Sequence, residues 1–299
     1  LVHFYSILKR MNVFNLPSPI HQLISEFLKQ HEVELWLKRD DLIHKEISGN
    51  KWRKLKYNIQ EAKKLGVDKI ATFGGAFSNH IAATAAVGKG LKIQTLGVIR
   101  GDEGFENKTL RDAKEKGMHL HFISRADYKL KTAASFIHRL QEQFGPFYLI
   151  PEGGANEFGV QGCEEIMQEV EKEFDAIAIS AGTGTTASGI CRQLKNERLL
   201  VFPAVKGGSF LLEEMKQYCS VEQLQKVQLQ LEYHFGGYGK TKPQQLEFMA
   251  QFSKEYAVDL DRVYTSKMMF GLFDLIRKGH FKRGAKILAI HTGGLQGNS

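Results

Sequence analysis

From residue 33 to residue 292, short runs of β-branched and apolar residues alternate with stretches whose apolar positions recur every three or four residues. The pattern predicts strands over 33–39 (VELWLKR), 69–73 (KIATF), 93–99, 119–124 and 147–151, with helices over 50–64, 80–90, 107–117 and 131–145 between them. A second series follows: a helix over 160–174, a strand over 175–181, a helix over 186–195 and a strand over 198–205. Helices near 209–217 and 243–256 and a buried closing strand over 286–292 complete it. Such alternation lays strands in parallel sheets covered by helices. Two series predict an α/β chain of two domains, each an open, twisted, mostly parallel sheet with helices on both faces. The glycine-rich segment PEGGANEFG, 151–159, is the expected boundary.

Four of the eleven residues in SGNKWRKLKYN, 48–58, are basic. Most basic runs are solvated helix faces. Position argues for one exception. Ser48, Gly49 and Asn50 read as a loop and cap, after which Trp52, Leu55, Ile59 and Ala62 recur at helical spacing. Lys51 therefore falls in the first turn, where the helix dipole disfavours a cation. Burial and nearby positive charge both lower a lysine pKa, so the position suits an amine that must lose its proton. On this stretch alone the solvated-face reading is favoured, and the rest of the chain has to decide.

In open α/β folds ligands bind beyond the carboxyl ends of the strands. Three segments have that form. In ATFGGAFSNH, Ser78 and Asn79 stand at a helix start, as caps or as ligand contacts. In DAIAISAGTGTTASG, a strand ends in Gly182, Thr183, Gly184, Thr185 and Thr186 before a helix. That loop offers N–H groups and hydroxyls at a positive helix end, which suits a single phosphate. It lacks the GK[ST] of a P-loop and the dinucleotide GxGxxG spacing. In LAIHTGGLQG, Thr292 and paired glycines follow a strand, and Thr292 could simply cap a turn. Tyr264 opens a further helix and, read alone, is a packing residue.

The chain's 299 residues, 42% hydrophobic and 25% charged, allow a large core and ordinary globular packing. Its 41 basic and 33 acidic residues give +8, spread along the chain. Spread charge suits small anionic substrates and argues against a nucleic-acid partner. Cys163, Cys191 and Cys219 have no metal-type spacing, so no metal is expected; so sparse a count suits a reduced, cytoplasmic compartment. No apolar run approaches the ~20 residues of a membrane span. Residues 1–10 lack the features of a leader and read as an upstream extension, with Met11 a candidate start.

Together, LKRDDLIHKEISGNKWRKLKY, FGGAFSNH, SAGTGTTASG, VYTSKMMFGL and HTGG follow a familiar order. The chain resembles the pyridoxal-phosphate enzymes of the tryptophan-synthase-β-like fold, in the branch of D-cysteine desulfhydrase and aminocyclopropane-carboxylate deaminase. The resemblance runs from about Glu34 to Gly294. It implies that Lys51 carries pyridoxal 5'-phosphate, that Asn79 contacts the cofactor's ring oxygen, and that Gly182, Thr183, Gly184, Thr185 and Thr186 hold its phosphate. It places Thr292 at the pyridine nitrogen, and Ser78, Asn79, His80 and Tyr264 around the substrate, with Ser78 and Tyr264 joining Lys51 in catalysis.

It further implies a large cofactor-binding domain of residues 1–50 and 153–299 and a small domain of 51–152. The cofactor would lie in the cleft between them, in a homodimer. Deaminase members carry Tyr-Glu where this chain has Tyr264-Thr265, and Gln where it has His80. Both departures point to β-elimination from a small amino acid, D-cysteine, giving pyruvate, ammonia and sulfide. The alternatives are cyclopropane ring opening by a deaminase and, in another class, a non-catalytic pyridoxal-phosphate carrier or a basic-surface binding protein.

Overall fold

The computed structural model describes residues 14–47 and 49–298; residues 1–10, Met11 and Ser48 lie outside them. The strands are β1 (Ile20–Leu23), β2 (Glu34–Lys38), β3 (Lys69–Gly75), β4 (Gln94–Arg100), β5 (Met118–Ile123), β6 (Tyr148–Ile150), β7 (Ala176–Ala181), β8 (Arg198–Pro203), β9 (Val227–Leu229) and β10 (Lys286–Ile290). They form a six-stranded sheet in the order β1-β2-β10-β7-β8-β9 and a four-stranded sheet in the order β5-β4-β3-β6. Every pairing is parallel except that of β1 with β2. The chain is thus α/β, with two mostly parallel sheets flanked by helices.

The last strand explains how the first residues reach the larger sheet. Ile287 of β10 lies opposite Leu35 of β2 on one side and Ala176 of β7 on the other. β10 therefore bridges two segments that are far apart in sequence. All six residues of β7 are buried, as expected of a parallel strand covered on both faces. β3, β7 and β10 each run out into one of the three glycine-bearing segments, Gly74–Asn79, Gly182–Thr186 and His291–Gly294.

Three helices lock together behind these ends. A Cβ at Gly162, in the Glu157–Gln168 helix, would lie 1.8 Å from the Arg53 carbonyl oxygen, so the Asn50–Lys64 helix approaches it backbone to backbone. On the other side, the Thr185–Gln193 helix packs through Gly189, whose added Cβ would meet Cys163 Cβ at 2.6 Å. Arg53 pins the junction. It donates to buried Asp40 at 2.7 and 2.9 Å and to both oxygens of half-buried Glu169 at 2.9 Å. Lys38 Nζ also donates to Glu169, at 2.7 Å.

The sequence pattern misplaced one helix. It runs Glu157–Gln168 rather than 160–174. The Asn156 side chain accepts from Gly159 N–H at 2.9 Å and starts the helix inside the segment read as a boundary loop. Its end is set by Glu169, whose carboxylate turns to Arg53 and Lys38. Antiparallel β1 (IHQL) and short β9 (VQL) are absent from the expected order, because polar residues interrupt both where the equally short β6 (YLI) is apolar or aromatic throughout.

Candidate active site

The Asn50–Lys64 helix begins at Gly49, with φ +63° and no side-chain cap. A Cβ there would lie 1.7 Å from the Thr292 carbonyl oxygen. Only glycine admits that approach, and Asn50 N–H donates to the same oxygen at 3.3 Å. The Lys51 turn and the Thr292 turn therefore touch through their backbones. Lys51 Nζ donates to Asn50 Oδ1 at 2.6 Å, and Asn50 Nδ2 donates to Thr186 Oγ1 at 3.0 Å. Burial, then the neighbouring Lys54 ammonium, bring the Lys51 pKa from 10.5 down to about 7, while Cys163 and Asp261 pull the other way.

Ser78 caps the Asn79–Leu91 helix, accepting from Ile81 N–H at 3.3 Å. An oxygen that accepts in a cap still has its own O–H to donate, so the cap and ligand readings coexist. Asn79 Oδ1 accepts from Gln296 Nε2 at 2.9 Å, and a Cβ at Gly294 would come within 2.6 Å of Asn79 Nδ2. The first and third strand ends thus meet at Asn79. His80 is buried, and among the described residues neither ring nitrogen has a hydrogen-bond partner. Burial, with Lys51 and Lys54 nearby, holds its pKa well below 6.5.

Lys54, one turn after Lys51, is also buried. Among the described residues its amine has no hydrogen bond or ion pair, and burial lowers its pKa. Gly154 sits against both groups: an added Cβ would meet Lys54 Cβ at 2.9 Å and His80 Cε1 at 3.4 Å.

Gly182 follows β7, and Gly184, at φ +77°, opens the Thr185–Gln193 helix without a side-chain cap. Its first-turn N–H groups are those a phosphate would take. The Thr183 and Thr185 hydroxyls lie 2.9 Å apart beside them. Tyr264 covers the loop: a Cβ at Gly182 would lie 3.1 Å from its phenolic oxygen. The Tyr238 ring meets Tyr264 edge-on, with centroids 6.1 Å apart. Burial, then Tyr238, raises the Tyr264 pKa well above 10, so the phenol keeps its proton.

Beneath Tyr264, Asp261 caps the Thr265–Arg277 helix, accepting from the N–H groups of Val263, Tyr264 and Thr265 at 2.9, 2.9 and 2.7 Å. The Thr265 hydroxyl donates to Asp261 Oδ1 at 2.7 Å and accepts from Asp261 N–H at 2.9 Å. Fully buried, Thr265 is committed to this cap.

Lys51, Asn79, His80, the 182–186 loop, Tyr264 and Thr292 therefore share one cleft. Asn50, read in the sequence only as part of a loop and cap, joins them, as do Lys54, Tyr238 and Asp261, which were not singled out. Lys54 was hidden in the basic run and Asn50 beside Lys51; Tyr238 and Asp261 carried no local signal. The cleft suits an aromatic ring bearing a phosphate. It has a near-neutral amine, an uncapped helix start lined with hydroxyls, and a buried amine and imidazole without acceptors of their own.

The pyridoxal-phosphate dependent enzyme family model matches residues 14–293, and the chain belongs to that family. It is an enzyme whose cofactor is pyridoxal phosphate. It is 32% identical over 96% of its length, and 92% of the relative, to a Pyrococcus horikoshii protein provisionally named 1-aminocyclopropane-1-carboxylate deaminase. It is 30% identical to a mitochondrial Arabidopsis thaliana protein, over 95% of this chain and 77% of the relative. That relative is named bifunctional D-cysteine desulfhydrase/1-aminocyclopropane-1-carboxylate deaminase. The crystal structure of an ACC deaminase homologue superposes with a TM-score of 0.81, at 29% identity, covering 98% of this chain and 95% of that one.

Proposed function

We propose that this enzyme catalyses β-elimination on a small amino acid, converting D-cysteine and water to pyruvate, ammonia and sulfide. The observation that carries the choice within the family is Thr265. Where the resemblance places a glutamate in deaminases, this chain has a hydroxyl committed to Asp261, so the position supplies no carboxylate.

Bound pyridoxal phosphate supplies the electron sink for charge developing at the substrate Cα. Lys51 would hold the cofactor until the substrate's amine takes its place, and the freed Lys51 amine, poised near neutrality, would then take the proton from Cα. Ser78 donates its O–H to the substrate carboxylate. The Asn79 amide N–H would meet the cofactor's ring oxygen, its own oxygen being held by Gln296. His80, kept neutral, walls the substrate side. Gly182, Thr183, Gly184, Thr185 and Thr186 receive the phosphate, with Lys54 as a buried countercharge. Thr292 would offer the cofactor's pyridine nitrogen a neutral hydroxyl and no carboxylate, which would favour prompt loss of a β-leaving group over transamination. Tyr264, protonated, contacts the substrate and relays a proton.

A large cofactor-binding domain of 1–50 and 153–299 and a small domain of 51–152 accord with the two separate sheets. We also propose a cytoplasmic homodimer without nucleic-acid or membrane partners; light scattering tests the dimer.

The second reading, aminocyclopropane-carboxylate deamination, is favoured by the Pyrococcus relative's name. Product formation from both substrates, side by side in one buffer, separates the two. Pyruvate from D-cysteine with little 2-oxobutyrate from the cyclopropane substrate is expected; efficient cyclopropane turnover would overturn the desulfhydrase assignment.

A further inference from the structure

Lys267 lies on the Thr265–Arg277 helix, one turn beyond Tyr264, and is 1% exposed. Its amine donates to three backbone carbonyls: Ala204 at 3.1 Å, His234 at 2.9 Å and Gly237 at 2.8 Å. Burial brings its pKa from 10.5 down to about 8 against the opposing pull of the Asp261 charge, so the charge persists at neutral pH. The three oxygens come from two loops. Ala204 follows β8, and its N–H donates at 2.9 Å to Ala181, the residue before Gly182. His234 and Gly237 belong to the turn that leads into Tyr238. That turn is anchored to the same helix by the Tyr233 hydroxyl, which donates to Asp274 at 2.8 Å.

Carbonyl oxygens converging on one desolvated positive charge form the coordination that K+ takes from a polypeptide backbone. We infer that Lys267 is a tethered substitute for a monovalent cation, and that removing its side chain leaves a site for K+ or ammonium. Its charge gathers the carbonyl dipoles of both loops. It thereby sets the Tyr238–Tyr264 wall against the Gly182 loop, which makes it a positioning residue. Side chains that cannot coordinate would leave the oxygens facing one another without a donor, at the cost of any buried unsatisfied group.

The test compares wild-type, K267A and K267M holoenzyme at one ionic strength in K+, ammonium or choline chloride, reading Tm and turnover. Wild type is expected to respond to none of the exchanges. K267A in choline should lose on the order of 5 °C in Tm and about tenfold in turnover, a loss of roughly the size expected for misplaced active-site groups. K+ or ammonium should restore most of both. K267M, whose stem fills the cage, should not be restored. A K+ response in wild type or K267M, or a K267A that is indifferent to the cation or insoluble in every salt, would overturn the inference.

Discussion

Arg53, Lys51 and Lys54 lie within one turn of a single helix, yet the fold treats them oppositely. Arg53 is fully buried and meets two carboxylates, Asp40 and Glu169, through four hydrogen bonds. Lys51 and Lys54 face the cleft, and neither amine is paired with a carboxylate among the described residues. For Arg53, burial opposes the charge but the Asp40 and Glu169 contacts outweigh it and raise the pKa. For the lysines burial prevails and both pKa values fall. Carboxylate partners keep one buried cation charged; without them, burial favours the neutral form of the other two.

Replacing Lys51 with Ala is the hardest test of that contrast. Turnover should fall by about 10⁴-fold, the loss of both cofactor attachment and proton transfer. Tm of the apo chain should be unchanged or higher, since a poorly solvated amine is removed. A large loss of stability would show that Lys51 is structural after all.

Arg53→Ala should do the reverse. Leaving Asp40 without its cation in the interior, and Glu169 with Lys38 alone, costs about 3–5 kcal/mol, read as a lower urea midpoint. Activity per folded molecule should change far less than in the Lys51 variant.

Lys54→Met probes the unpaired partner. Cofactor affinity should weaken by roughly 10- to 100-fold, the worth of one charge-assisted hydrogen bond, with stability unaffected or improved. Unchanged affinity in a cofactor titration would remove Lys54 from the phosphate site.

The smallest effect is the pH dependence of Lys51. Its folded pKa, about 7, lies below 10.5, so the unfolded chain binds more protons between those values. The Lys51 contribution to stability therefore grows as pH rises through that window and is at its least below 7. Capture of pyridoxal phosphate by the apo chain requires the neutral amine. Its rate should rise about tenfold per pH unit below 7 and level off above. A rate still climbing at pH 9 would mean that Lys51 is not poised near neutrality.

The sequence by itself determined what is local: the order of the long helices and of most strands, the seat of Lys51 in a first helical turn, and the glycine loops at three strand ends. Apolar periodicity, caps and turn residues are written within a few positions of where they act. Even Ser78 as a cap was legible, because its partner is Ile81. The tertiary structure decided which groups those elements bring opposite one another. Arg53 and Lys54 are adjacent and look alike in the chain; what separates them is Glu169, 116 residues away, and Asp40, which face one and not the other. Thr265 was legible as a departure from the deaminase pattern, but only the structure shows its hydroxyl bound to Asp261. Nothing local marks Lys267, whose amine is enclosed by carbonyls 30 to 63 residues away. Ionic pairing and desolvation depend on distances in space, and local spacing does not encode which distant backbone will close around a charge.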